Sequence, residues 1–135
     1  MSRWLFKTEP THYSFDDLAQ NKKAVWDGIT NNLALKHLRG VRKGDEVFIY
    51  HTGDEKRLVG IAHISSNPYP DPKQNDPKMA VVDIKPGRRL KRGVTLAEIK
   101  ADKALKNFDL VRNSRLSVMP VSDAQWQHLL ELSGE

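Results

Sequence analysis

Four short segments of the chain carry side chains that could do chemistry. They are Lys7-Thr8-Glu9-Pro10, Val25-Trp26-Asp27-Gly28, Tyr50-His51 and Ser114-Arg115-Leu116-Ser117-Val118. Three of them lie at the beginning or end of a predicted strand, and the second precedes a predicted helix. Because a sheet places its strand ends side by side, we expect these polar groups to meet in one pocket. Such a pocket would combine an indole ring with lysine, glutamate and histidine side chains that donate or accept hydrogen bonds.

Each segment also has a purely structural interpretation. Trp26 could be a core or rim tryptophan, because large aromatic residues are usually well buried. His51 falls on the same strand face as Val47 and Ile49, which favours a buried histidine with hydrogen-bond partners. Arg115 could form an ion pair that only stabilises the fold. The residue types alone leave these alternatives open.

A basic run over residues 85–92 is the most highly charged feature of the sequence. It contains five cations in eight residues, Lys85, Arg88, Arg89, Lys91 and Arg92. The whole chain has 22 Lys and Arg against 17 Asp and Glu, a net charge of +5, and a pI of about 9.5. The run predicts either a solvated loop or a surface on which the four cations from position 88 onward bind nucleic-acid phosphates.

Several classes of site have no support in the sequence. Cysteine is absent, which excludes disulfides, iron–sulfur clusters, thiolate zinc sites and a cysteine nucleophile. The five histidines form no His-x-x-x-His pair, and neither a phosphate-binding glycine loop nor a Gly-x-Ser-x-Gly motif occurs. We therefore predict no metal, no cofactor and no catalytic residue. No apolar run approaches the roughly 20 residues that span a bilayer, and the first residues lack a signal-peptide core, so we expect a cytoplasmic protein without a membrane partner.

Hydrophobic periodicity and capping residues predict the elements that must position these groups. Strands are predicted over residues 3–7, 46–51, 57–64, 79–84 and 116–121. Helices are predicted to begin after Ser14, after Thr30 or Asn31, after Thr95 and after Ser122. Residues 46–64 favour an antiparallel hairpin, and the prolines of residues 67–78 indicate an irregular loop. With 135 residues, 39% of them hydrophobic, the chain is predicted to be one α+β domain, residues 1–135, with a mixed sheet or small barrel.

A longer series of motifs runs in order from Arg3 to about Leu130. It comprises Trp4-Leu5-Phe6-Lys7-Thr8-Glu9-Pro10, Val25-Trp26-Asp27-Gly28, Asn32, Lys43-Gly44-Asp45, Tyr50-His51, Val59-Gly60-Ile61-Ala62, Tyr69-Pro70-Asp71 and Ser114-Arg115-Leu116-Ser117-Val118-Met119-Pro120-Val121. Together these motifs resemble the EVE domain family. The resemblance implies a PUA-like fold, in which helices surround a curved, barrel-like sheet, and a relationship to YTH domains. It also implies a binder of modified bases in DNA or RNA, without catalytic activity.

The resemblance further implies a binding site for one base. Trp26 is similar to the tryptophan that forms one wall of the aromatic cage in YTH domains, so we expect it to stack on the base. Edge hydrogen bonds are assigned to Lys7, Thr8, Glu9, Asn32 and His51. The remaining wall is assigned to Arg115, Leu116 and Ser117. Many members carry a second tryptophan where this chain has Met79, which predicts a softer cage and leaves the choice of modification open.

The favoured hypothesis is a monomeric, non-catalytic reader that takes one modified base of a nucleic acid into the pocket. An enzyme acting on a nucleotide is the second hypothesis, with Glu9, Asp27 and His51 as acid and base. A small-ligand module that binds a free nucleobase or metabolite is the third, and in it the basic run has no role. Neutralising that run separates the first hypothesis from the third, because only a nucleic-acid site would lose affinity and salt dependence.

Overall fold

The structure is a computed structural model that describes residues 1–135, and one mixed sheet of seven strands lies at its centre. The strands are β1 (Arg3–Thr8), β2 (Ala24–Trp26), β3 (Glu46–His51), β4 (Arg57–Ile64), β5 (Tyr69–Pro70), β6 (Ala80–Thr95) and β7 (Val118–Val121). Their order is β2-β6-β4-β3-β1-β7, and β5 pairs with β6. Strands β1 and β3 are parallel, whereas all other pairs are antiparallel. The predicted hairpin of β3 and β4 is confirmed.

Short helices surround the sheet, as the predicted α+β class requires. They are α1 (Phe15–Asn21), α2 (Asn32–Gly40), α3 (Leu96–Ala101), α4 (Asp109–Arg112) and α5 (Asp123–Leu132), with a 3₁₀ helix at Lys103–Leu105. The predicted caps Ser14, Thr95 and Ser122 all form capping boxes, and Asn31 rather than Thr30 caps α2. None of these helices is long and apolar enough to cross a membrane.

Strand β6 is longer than the sequence predicts. The pattern predicts a strand that ends at Ile84 and an exposed loop over the basic run, whereas the strand continues to Thr95. Strand β4 supplies the partner, with Arg88 opposite Ile61 and Arg89 opposite Gly60. Such pairing depends on a distant segment, so local polarity does not reveal it. The loop interpretation of the basic run is therefore wrong, although its cations are exposed.

Phe15 anchors the beginning of α1 on the sheet. Its ring lies against Gly60, where an added Cβ would come within 2.6 Å of the ring atoms. Its N–H donates to Nε2 of His51 at 3.0 Å, and Nδ1 of His51 lies 3.0 Å from Oε2 of Glu55. Just before Phe15, the carbonyl of Tyr13 accepts a hydrogen bond from Oγ1 of Thr8 at the end of β1. These contacts of Phe15 and Thr8 hold Tyr13 beside the end of β1.

The α3 capping box provides a test of acid sensitivity. Hydrogen bonds from the Arg92 guanidinium and from the Thr95 backbone N–H hold the pKa of Glu98 at about 2. A carboxyl whose pKa is lowered by folding stabilises the protein above its unfolded pKa and loses that contribution as the pH falls toward the folded value. We therefore expect Glu98→Gln to flatten the fall in the free energy of unfolding between the ordinary pKa of 4.5 and about 2.

Urea denaturation of wild type and variant across this pH range measures the effect of Glu98→Gln. The exposed turn residue Asp54 supplies the control Asp54→Asn, which should leave the acid slope unchanged. An acid slope that is identical in wild type and Glu98→Gln would show that the ionised Glu98 contributes nothing to folding.

Candidate functional site

A cavity of about 510 Å³ opens where β1 and β2 end. Its volume is in the range of sites that bind small molecules. Five of the lining residues are hydrophobic, and all the others except Gly28 carry polar or charged side chains. The lining comprises Lys7, Thr8, Glu9, His12, Tyr13, Ala24, Val25, Trp26, Asp27, Gly28, Ile29 and Ser117. Residues of three of the four segments singled out in the sequence therefore meet here, whereas Tyr50-His51 does not line this cavity.

The backbone at the end of β1 brings two of these segments together. The N–H of Lys7 donates to the carbonyl of Ser117 at 2.9 Å, so the residues before β7 lie beside β1. After Thr8 the chain turns back, because the N–H groups of His12 and Tyr13 both donate to the carbonyl of Glu9 at 2.9 Å. The turn places Tyr13 against the end of β2.

Trp26 belongs to both the core and the cavity wall. Its side chain stacks on Phe6, with ring centres 5.5 Å apart, and meets the edge of Tyr13 at 6.3 Å. Only 7% of Trp26 is exposed, so most of its side chain is buried in the hydrophobic core. Val25 lies next to it in the lining and is 45% exposed. The cavity therefore offers one indole, one phenol and an aliphatic surface.

Lys7 and Glu9 both line this cavity, but the ammonium of Lys7 is directed toward a neighbouring cavity that Ser114 and Tyr50 line. The ammonium of Lys7 donates to the carbonyl of Ser114 at 2.9 Å and lies 5.9 Å from the ring centre of Tyr50. Burial lowers the pKa of Lys7. The carboxylate of Glu9 accepts hydrogen bonds from the N–H and hydroxyl of Thr11, and the backbone N–H in particular lowers the pKa of Glu9. Glu9 and Asp27 thus give the cavity charged acceptors, while the ammonium of Lys7 already donates to Ser114.

His51, Asn32 and Leu116 do not line the cavity. His51 is 3% exposed, and its ring nitrogens already face Phe15 and Glu55. Strand alternation turns its side chain into the interior. The structure therefore does not bring His51 together with Glu9 and Asp27, as the enzyme hypothesis requires. Leu116 is 2% exposed and packs in the hydrophobic core. Asn32 is the first residue of α2 and is exposed.

Met79 and Arg115 also lie outside the cavity lining. Met79 is half-buried and precedes β6, where its N–H donates to the carbonyl of Asp76 and its carbonyl accepts from the N–H of Asp71. Arg115 is exposed and forms no ion pair. Met79 therefore contributes no wall to this cavity.

The basic run of β6 lies away from the cavity and is largely neutralised. Its three arginines form ion pairs, two with carboxylates of distant segments and one with the nearby Glu98. The pairs are Arg88 with Glu135, Arg89 with Asp16, and Arg92 with Glu98. Lys91 is exposed and has no such partner. Because paired cations contribute less to phosphate binding, this arrangement does not favour the predicted phosphate surface.

Four lining residues were not predicted from the sequence. They are His12, Tyr13, Ala24 and Ile29. The signal for Tyr13 was an aromatic residue in a proline-containing turn directly after a strand, a position where side chains often reach a binding site. Ala24 and Ile29 flank the Val25–Gly28 segment and carry no separate signal.

The chain is similar to known proteins in both sequence and fold. A family model described as EVE domain matches residues 2–132. Thymocyte nuclear protein 1 from Homo sapiens is 33% identical over 165 residues, which cover 97% of this chain and 73% of the relative. An NMR structure from Rhodopseudomonas palustris has a TM-score of 0.95 and 38% identity, covering 99% of this chain and 94% of that chain. A crystal structure of human THYN1 protein in complex with 5-methylcytosine-containing DNA has a TM-score of 0.90 and 33% identity, covering 100% and 99%.

Proposed function

Because this chain belongs to the EVE domain family, as its motifs predicted, we propose that it is a non-catalytic reader of a modified base in DNA. The cavity at the ends of β1 and β2 is the site that takes the base. The observation that carries the proposal is the lining itself, which joins Trp26 and Tyr13 to an aliphatic surface and to groups of both charges. The complex of human THYN1 protein with 5-methylcytosine-containing DNA supports this choice of ligand.

The aliphatic part of the lining gives a base methyl group a place to bind. Val25 is 45% exposed, so it has surface to lose to a ligand. Burying one methyl-sized group contributes about 0.8 kcal/mol, which corresponds to roughly fourfold in affinity. Extruding the base from a duplex costs a few kcal/mol, which aromatic contacts and edge hydrogen bonds must offset.

The charged part of the lining matches the hydrogen-bonding edge of a base. Carboxylates accept from the exocyclic amino group of cytosine, and Glu9 and Asp27 can fill that role. Lys7 lines the same cavity, and its ammonium would turn from the carbonyl of Ser114 to donate to a ring nitrogen or carbonyl acceptor of the base. Adenine also carries an exocyclic amino group, so comparison of oligonucleotides decides between cytosine and adenine.

Val25→Ala tests the proposed methyl contact without a large cost in folding, because the side chain is substantially exposed. Fluorescence anisotropy with matched duplexes that carry cytosine, 5-methylcytosine, 5-hydroxymethylcytosine or N6-methyladenine measures the preference. We expect the wild type to prefer the 5-methylcytosine duplex by roughly fourfold or more, and Val25→Ala to lose most of that preference. Affinity for the unmodified duplex should change little.

Leu33 provides the matched control for Val25. It is 42% exposed, lies on α2 and does not line the cavity, so Leu33→Ala should keep the wild-type preference. Equal binding of all duplexes by the wild-type protein would contradict the reader proposal. The same preference in Val25→Ala and Leu33→Ala would instead contradict the assignment of the methyl contact to Val25.

A further inference from the structure

A second cavity, of about 420 Å³, receives two arginines from the end of α2. Arg39 and Arg42 line it together with Tyr69 of β5 and with residues of the proline-rich segment 67–77. Both arginines are exposed. They belong to none of the motifs that indicated a binding site in the sequence. The cavity thus combines concentrated positive charge with a concave surface.

Neutral carbonyl groups orient these arginines without neutralising them. Nη1 of Arg39 donates to the carbonyl of Lys78 at 3.1 Å. Nη1 of Arg42 donates to the carbonyls of Arg39 and Val41, both at 2.7 Å. Neither guanidinium forms an ion pair, in contrast to Arg88, Arg89 and Arg92 on β6. Each keeps further N–H donors for a ligand.

The second cavity lies next to the proposed base site. The hydroxyl of Tyr69 donates to Oδ1 of Asp83 at 2.6 Å, and this bond raises the pKa of Tyr69 to about 12. In the ladder between β2 and β6, Asp83 lies directly opposite Val25, which lines the base site. Tyr69, Asp83 and Val25 therefore connect the two cavities across β5, β6 and β2.

We propose that Arg39 and Arg42 bind the backbone phosphates next to the base that occupies the first cavity. This inference rests on the proposed function, because it assigns the phosphates of the same nucleic-acid strand. Guanidinium groups bind phosphate through paired N–H donors, and their prior orientation by carbonyls reduces the entropy lost on binding. These contacts position the nucleic-acid strand on the protein and give no preference for a particular base.

The double variant Arg39→Gln/Arg42→Gln tests the phosphate contact. Anisotropy titrations of the cytosine and 5-methylcytosine duplexes over a range of salt concentrations give the affinity and its salt slope. Each phosphate contact contributes about 0.9 to the slope of log K against log salt, so we expect the slope to fall by about 1.8. At about 0.15 M salt this corresponds to roughly 30-fold weaker binding of both duplexes. The ratio of their affinities should not change.

Two further variants separate a local contact from a general effect of charge or folding. Lys85 and Lys91 on β6 are exposed and form no ion pair, so Lys85→Gln/Lys91→Gln changes the net charge by the same amount. It should keep the wild-type slope and affinity to within about twofold. Arg39→Lys/Arg42→Lys retains both charges and should retain the slope. Thermal unfolding of each variant verifies that the fold is intact.

An unchanged slope in Arg39→Gln/Arg42→Gln would overturn the inference, and so would an equal loss in the β6 control. A lysine double variant that loses the slope as the glutamine variant does would also overturn it. Failure of the proposed function has a different signature. A wild-type protein without preference for the modified duplex would contradict the base site, while the slope comparison would still decide whether these arginines bind phosphate.

Discussion

Replacing Trp26 with alanine should abolish the preference for the modified duplex and lower the free energy of unfolding by about 3–5 kcal/mol. The loss of stability follows from burial, because Trp26 is only 7% exposed and stacks on Phe6. The loss of preference follows because the base, without this aromatic wall, is no longer held with its methyl group against Val25. The lost base–aromatic contact, about 1–3 kcal/mol, weakens binding of both duplexes. Urea denaturation and anisotropy with matched duplexes measure the two effects separately.

Because Trp26→Ala combines two effects, a milder pair of variants is needed. Trp26→Phe retains an aromatic ring and most of the core packing. Trp126 is 4% exposed and stacks on Phe48 with ring centres 3.8 Å apart, and it does not line the base cavity. We expect Trp26→Phe to weaken the preference and Trp126→Phe to lower stability alone. Identical preferences in both phenylalanine variants would remove Trp26 from the proposed base contact.

The elements that were predictable from the sequence are those with local signals. The capping boxes at Ser14, Thr95 and Ser122 place a hydroxyl and an acceptor three residues apart. The beginning of each helix is therefore specified by residues within one turn of it. The β3–β4 hairpin follows from two apolar runs on either side of a turn. In each case the interacting residues are close in sequence, and their chemistry suffices to specify the geometry.

Features that depend on distant partners were not predictable in the same way. The basic run of β6 is a strand because β4 lies beside it, and Arg89 pairs with Asp16, a residue 73 positions away. Similarly, β2 is only three residues long and is defined by its pairing with β6. Local composition predicted the charge of the run correctly but not its ion pairs.

The site shows the same division between local and distant information. Lys7, Thr8, Glu9, Trp26 and Ser117 do meet, because β1 and the edge strand β2 end close to the point where β7 begins. Whether a polar side chain at a strand end faces solvent or core depends on the pleat. For this reason His51, the last residue of its family motif, accepts the N–H of Phe15 at the start of α1 and does not line the cavity.

Asp45→Ala should lower the free energy of unfolding by about 3 kcal/mol, because it would leave buried donors without an acceptor. The carboxylate of Asp45 is 4% exposed and accepts from the indole N–H of Trp4 at 2.9 Å. It also accepts from the backbone N–H groups of Ser2 at 3.0 Å and Arg42 at 2.9 Å. Asp45 is thereby the shared partner of the first strand and of the segment that follows α2.

A double-mutant cycle isolates the indole contact within that network. Trp4→Phe removes the N–H donor, so Asp45→Ala should cost less in the Trp4→Phe background, with a coupling of about 1–3 kcal/mol. The exposed residue Asp54 again supplies a control, since Asp54→Ala should change stability by no more than about 0.5 kcal/mol. Equal costs for Asp45→Ala in both backgrounds would show that the backbone donors, and not Trp4, account for the burial of this carboxylate. Because one of those donors is the N–H of Arg42, loss of Asp45 should also weaken phosphate binding in the second cavity.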